Sequence, residues 1–379
     1  MKTLLEPHAV RLEFDEELLV HANLSGAAFV GNELWGAGDE ACGLDRLQAL
    51  PRLGAEQLRF GQGIHFPLGD YLDLPDAADI EADIEGLDFH GGYLWLVGSH
   101  GLKRKAPRAG YSEKKNLERL ATVSSDGNRC LLARIPVIAG KDGNTLSKHT
   151  PEGLSAARLR GDTLENDLSK LLKKDRHYGA YLAIPGKDNG FDIEGLAVCN
   201  ERILLGLRGP VLRGWAGLLE IRIREQKGEL RLDDIEQSDE KLRKHFLNLA
   251  GLGIRDLHWS GDDLIILAGP TMALDGAIRV FRWQGAAQAM ANVDPSASEV
   301  LWETGPETGS ETGSETGSKT GPIEMLSLPY GVGQDRAEAI TALPSSQEQQ
   351  WLVLYDAPSA QRKLSEQTVL GDLISFKQD

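Results

Sequence analysis

Short apolar runs separated by polar or glycine-bearing turns recur along this chain, and that pattern predicts strands joined by hairpins. Residues 9–20 partly alternate apolar with polar and read as a first strand. The stretch Asp83-Ile84-Glu85-Gly86-Leu87 then returns letter for letter as Asp192-Ile193-Glu194-Gly195-Leu196. Aligned without a gap, the two copies set Leu94-Trp95-Leu96 against Ile203-Leu204-Leu205 and Arg104 against Arg213. In the first, Gly91-Gly92 between apolar runs signals a hairpin turn.

The same unit can be followed through the chain. Leu24-Ser25-Gly26 opens an earlier copy, with Phe29, Gly31, Leu34 and Trp35 under Phe89, Gly91, Leu94 and Trp95. Pro151-Glu152-Gly153-Leu154 opens a less regular one, followed by an expected helix near 163–176. Ile254-Arg255-Asp256-Leu257 and Arg336-Ala337-Glu338-Ala339-Ile340 open two more. Between copies, one strand is expected to end at Tyr71-Leu72-Asp73-Leu74, an alternating strand runs from Leu218 to Ile223, and 225–250 reads as turn and short helix. Units of this kind predict an all-β, six-bladed β-propeller with a short helical insertion, or a seven-bladed one if a further unit lies in 225–325. The ring would close by pairing residues 9–20 with the run Val369 to Phe376, so the whole chain is one domain. Residues 303–322 repeat Glu-Thr-Gly-Ser with period four and read as a flexible loop inside that domain.

Composition narrows the function classes. Acidic residues number 57 against 41 basic ones, a net charge of −16, which argues against binding nucleic acid or an anionic membrane. Cys42, Cys130 and Cys199 are far apart, so neither a disulfide framework nor a thiolate zinc site is expected. With no signal-like apolar run at the start, the expected location is the cytoplasm.

Phe191 to Ala197 together with Leu207-Arg208-Gly209-Pro210-Val211-Leu212-Arg213-Gly214-Trp215-Ala216 resembles the signature of the bacterial family of unknown function DUF3616. Asp83 to Leu87 and Gly98-Ser99-His100-Gly101-Leu102-Lys103-Arg104-Lys105 resemble its other marked stretch. The Asp-x-Glu-Gly-Leu openings also resemble those of phytase-like, gluconolactonase-like and SdiA-regulated propellers, a resemblance that implies calcium at the propeller axis.

In a propeller the first strand of each blade lines the channel, so one repeat position becomes a ring: Ser25, Glu85, Glu152, Glu194, Arg255 and Glu338. Gathered carboxylates repel unless a cation offsets them, and hard oxygen donors suit calcium or another divalent ion. Glu85, Glu152, Glu194 and Glu338, with Asp83 and Asp192 two residues ahead of two of them, are therefore the candidate metal ligands. Equally, the glutamates could accept N–H bonds from neighbouring blades and lock the ring, and the aspartates could shape the turn into the strand. Lys103, Arg104, Arg208, Arg213 and Arg255 fall at equivalent ends of units and are candidate binders of an anionic substrate. Solvated loops or ion pairs with the acidic ring are the plain alternative. His100 is the candidate proton-transfer group, or a structural turn histidine. Recurring Phe29, Phe89 and Trp259 read as core packing. Two functions fit: a divalent-metal hydrolase of a small anionic phosphoester or lactone, and a non-catalytic scaffold that binds another protein.

Overall fold

A computed structural model describes residues 3–15, 23–38, 40–53, 57–235, 238–304, 320–331, 335–344, 349–356 and 358–376. The chain is mostly β, in curled sheets. Among the described residues five four-stranded units are formed. The first comprises Leu24–Val30, Glu33–Gly38, Gly43–Leu53 and Gln57–Pro67; the second Ile84–His90, Tyr93–Gly98, Leu132–Gly140 and Gly143–Leu146. The third comprises Asp192–Cys199, Arg202–Gly209, Trp215–Gln226 and Arg243–Asn248, and the fourth Gly253–Ser260, Asp263–Gly269, Ile278–Trp283 and Ile323–Leu328. Arg336–Ala342, Gln350–Asp356 and Thr368–Phe376 make the fifth, completed by Thr3–Glu13 from the other end of the chain. That last strand also pairs in parallel with Gln57–Pro67, joining first and last units into one sheet.

The first strands of the units touch in cyclic order, the first unit meeting the fifth. The apolar cores show the same closure, because each fills the gap between two neighbouring units. Ala28, Trp35, Leu87 and Leu96 lie between first and second, and Trp95, Val97, Ile193 and Leu205 between second and third. Leu204, Leu218, Leu257 and Ile266 lie between third and fourth, and Ile265, Val280, Ile340 and Trp351 between fourth and fifth. Leu24, Leu34, Leu352 and Leu373, with Val10 and Leu12, join the fifth back to the first. Every unit thus buries both of its faces, which no single sheet could do in water. Phe29, Phe89 and Trp259 pack partly buried against these cores.

Several expectations are corrected. The unit expected at Pro151 is a turn, in which Gly153 N donates to Thr150 O and Thr150 N to Leu154 O. The proline has no N–H for a ladder, and no strand follows until the two residues Ala157–Arg158. Leu68–Asp70 is a 3-10 turn and the chain through Leu74 is irregular, so no strand ends there. Within 225–250 the chain makes strands, Glu229–Asp233 and Arg243–Asn248, because Leu230 and Leu232 alternate with polar neighbours. The 225–325 stretch adds no further unit among the described residues. It supplies edges: Glu299–Trp302 pairs with Arg243–Asn248 of the third unit before the chain returns to the fourth. The period-four loop lies, for residues 305–319, outside the described residues; its ends meet where Gly321 N donates to Glu303 O. The closing strand pairs with Thr368–Phe376 as expected and begins earlier, spanning Thr3–Glu13; residues 16–20 of the expected strand lie outside the described residues.

Helices are short. Asp167–Leu172 lies in the expected insertion, while Glu113–Ala121 and Ala286–Ala291 fall outside the elements that the sequence pattern predicts. No helix of the described residues is long and apolar enough to cross a membrane.

Candidate functional site: a cleft over the inner ring

One repeat position departs from regular pairing in every unit. The register of the first hairpin slips between Leu24 and Gly26, Ile84 and Gly86, Ile193 and Gly195, Ile254 and Asp256, and Ala337 and Ala339. The residue inside each slip is Ser25, Glu85, Glu194, Arg255 or Glu338. A bulge leaves one residue unpaired and re-aims its side chain, so the repeat position is a bulge position in all five units. The following glycine has its own reason: a Cβ on Gly86 would lie 2.8 Å from Leu196 Cβ, and one on Gly195 2.7 Å from Leu257 Cγ. The next inner strand passes too close for any side chain there.

The five bulge residues gather, whereas Glu152, expected as a sixth member of the ring, is exposed on the Thr150–Leu154 turn. Ser25 Oγ donates to Ile84 O of the second unit and carries no charge into the ring. Arg255 reaches across three units, with Nη1 3.1 Å from Glu194 Oε2 and 2.6 Å from Glu338 Oε1. Arg208 pairs with both Asp192 and Glu194. Asp83 pairs with Arg129, whose Nη1 also donates to Glu81 Oε1 (2.9 Å) and whose Nε donates to Gly101 O (3.0 Å). Arg129 sits in the Gly127–Cys130 turn, outside every repeated stretch, so no periodic signal marks it.

Glu85 differs from the other carboxylates. It is 7% exposed and forms no hydrogen bond or ion pair among the described residues. Burial first, then the charges of Asp83, Glu194, Asp192 and Glu338, raise its carboxyl well above the ordinary 4.5. Burial likewise pushes Glu194 up to about 7, against the pull of Arg208 and Arg255.

The function expected of the glutamates as interstrand locks belongs to two aspartates instead. Asp88 accepts from Phe89 N (2.8 Å) and from Val198 N (2.6 Å) of the next unit. Asp256 accepts from Leu257 N (2.8 Å) and Ile340 N (2.7 Å) in the same way. Asx side chains suit this because a short carboxylate reaches the adjacent N–H without leaving its strand.

Glu85, Asp83, Asp192, Arg129 and Arg208 form the floor of a cleft of about 630 Å3. Its walls come from two insertions, Leu102 to Arg108 with Arg119 on one side and Gly186 with Lys187 on the other. Lys103 pairs with Glu81 (2.6 Å) and Arg104 with Asp188 (2.6 Å). Lys105 and Arg108 are exposed and make no side-chain hydrogen bond or ion pair among the described residues. Eight basic side chains line the cleft against five acidic ones, the reverse of the chain as a whole.

Two candidates lie elsewhere. Arg213 is exposed on the turn where Leu212 and Trp215 exchange backbone bonds, and it does not line the cleft. His100 is buried with both ring nitrogens engaged, Nδ1 with Gly98 O (2.8 Å) and Nε2 with Asn166 Nδ2 (2.7 Å). Since Gly98 O only accepts and the amide nitrogen only donates, the ring is the neutral Nδ1–H tautomer. Burial lowers its pKa to about 4. Asn166 caps the Asp167–Leu172 helix, so His100 ties that insertion to the second unit.

As arranged, the donor set does not fit a divalent cation. Asp83, Asp192, Glu194 and Glu338 each already face a guanidinium group, and an ion among them would sit beside Arg129, Arg208 and Arg255. Among the described residues no group of three or more His, Cys, Asp or Glu is placed to hold a metal.

Among curated proteins none matches the chain. Solved structures resemble it at low similarity. A mutant of the GH43 protein BlXynB from Bacillus licheniformis has a TM-score of 0.34 at 9% identity, covering 93% of this chain; the chain spans 50% of that one. A putative oxidoreductase of the glucose dehydrogenase type from Thermus thermophilus has a TM-score of 0.34 at 11% identity, covering 99% of both chains. Apo AztD from Citrobacter koseri has a TM-score of 0.27 at 11% identity, covering 94% of this chain and 90% of its own. Likeness at this level carries no argument about activity. The family signature does better, since a single family model matches residues 23–372, from the first inner strand almost to the end of the last unit, and the chain belongs to DUF3616, a family of proteins of unknown function.

Proposed function

We propose that the chain is a five-bladed β-propeller that binds a small anionic ligand in the cleft over its inner ring. One observation carries the reading: basic side chains dominate this cleft in a chain of net charge −16. Surface cations in an acidic protein normally pair with nearby carboxylates, as Lys103 and Arg104 do. Lys105 and Arg108 do not, and cations left without partners beside a concave surface are poised for a phosphate or carboxylate. The insertion that supplies both interrupts the repeat, and loops on a rigid scaffold are where binding residues concentrate. For turnover, the proton-transfer role expected of His100 has no support in its geometry, and Glu85 is the carboxyl at the cleft floor that could take it. The free thiols Cys42, Cys130 and Cys199 fit a reducing cytoplasm.

Titration calorimetry with inorganic phosphate tests the reading on the wild type and on the double variant Lys105→Ala/Arg108→Ala. Measurable binding that weakens about tenfold in the variant supports it. Absence of wild-type binding, or equal affinity in the variant, removes it.

A further inference from the structure

Charge along the cleft changes sign with depth. Its mouth presents Lys105, Arg108, Arg119 and Lys187. Its floor presents Asp83, Glu85 and Asp192 beside Arg129 and Arg208, with Glu194 and Glu338 behind them, so that carboxyl groups outnumber guanidinium groups there. Facing Glu85 from the second, third and fifth units are the carboxylates of Asp83, Asp192, Glu194 and Glu338, and around them the guanidinium groups of Arg129, Arg208 and Arg255. Each arginine already faces a carboxylate: Arg129 faces Asp83, Arg208 faces Asp192 and Glu194, and Arg255 faces Glu194 and Glu338. Five carboxyl groups share three guanidinium groups, and Glu85 is the one left over. A buried carboxyl without a partner is costly to keep and is retained where something else pairs with it.

We infer that the cleft takes a zwitterionic ligand, its phosphate or carboxylate held at the basic mouth and its primary ammonium group received by Glu85 at the floor. This specifies the ligand of the anion-binding reading and rests on it. A primary ammonium suits the floor because its three N–H donors can address Glu85, whose carboxyl releases its proton to solvent as the cation arrives, together with Asp83 and Asp192, which also line the cleft. A lone anion would leave Glu85 unpaired, and a lone cation would leave Lys105 and Arg108 unused. A small molecule carrying both charges satisfies both ends.

Calorimetry at pH 7 with inorganic phosphate, ethylamine and O-phosphoethanolamine reads this directly as a ratio of affinities. Wild type should bind O-phosphoethanolamine at least about tenfold more tightly than phosphate, the scale of a charge-assisted hydrogen bond. In Glu85→Gln, which is close in shape and whose folding is checked by its melting curve, that ratio should fall to near one. Should Glu85→Gln fail to fold, Glu85→Asp, with its carboxylate withdrawn by one methylene, should lower the ratio at least threefold. Equal binding of phosphate and O-phosphoethanolamine by the wild type would overturn the inference and leave anion binding standing. A preference that survives either substitution would overturn it too. Failure of the wild type to bind any of the three probes would remove both readings together.

Discussion

Arg208 shows how much of this site is decided by single side chains. The residue is 6% exposed, and its guanidinium holds two carboxylates, Asp192 and Glu194, that also lie in the interior. Removing it in Arg208→Ala strands the buried charge of Asp192, leaves Glu194 to Arg255 alone, and should cost about 3–5 kcal/mol, read from the denaturant midpoint. Arg213→Ala, on an exposed turn, should change stability by less than about 0.5 kcal/mol. Glu85 makes a prediction of opposite sense. Its folded-state carboxyl titrates above the ordinary 4.5, so the folded chain holds a proton that the unfolded chain has released. That contribution is fully present below 4.5 and is lost as pH rises from there through the folded-state value. Glu85→Gln, which mimics the protonated form, should therefore be more stable than wild type at about pH 8 and differ little from it at about pH 4, as thermal melts at the two pH values would show. An equal difference at both would mean that Glu85 is not held protonated.

At the scale of elements, the repeat was legible because two constraints coincide in one short stretch. The bulge fixes a residue aimed at the inner ring, and the glycine after it admits the neighbouring inner strand. Hence Ser25, Glu85, Glu194, Arg255 and Glu338 could be aligned from sequence although they are scattered across the chain. Glu152 copies the letters Glu-Gly-Leu without the context, since Pro151 precedes it and no hairpin of apolar strands follows. Letters alone did not suffice. Arg104 and Arg213 likewise align in sequence yet diverge, one paired to Asp188 across the cleft wall and the other on an exposed turn, because the insertions after each unit differ. Asp88 and Asp256 gave no signal, for their partners are set by packing between units, and Arg129 gave none because it sits in a turn outside the repeat. Gly86→Ala tests the close approach: a Cβ 2.8 Å from Leu196 Cβ and 3.1 Å from Glu194 O should destabilise by about 1–3 kcal/mol in urea unfolding. For the insertion, His100→Ala removes the bond to Asn166 and should speed amide exchange in Asp167–Leu172 while leaving the inner strands protected.

For the whole molecule, closure is what brings residues far apart in sequence to one centre. Five cores lie between five units, and the strand Thr3–Glu13 belongs to the last of them. Deleting residues 1–15 takes away Val10, Leu12 and Phe14 and exposes the edge of Thr368–Phe376. The shortened chain should lose its single cooperative melting transition and self-associate, as an open sheet edge does; unchanged melting would show that closure is dispensable. The most direct test of a common centre is a double-mutant cycle on Arg255→Met and Glu338→Gln, whose side chains meet at 2.6 Å although 83 positions separate them. The ring predicts a coupling of about 1–3 kcal/mol in denaturant unfolding, whereas simple additivity of the two substitutions would contradict it.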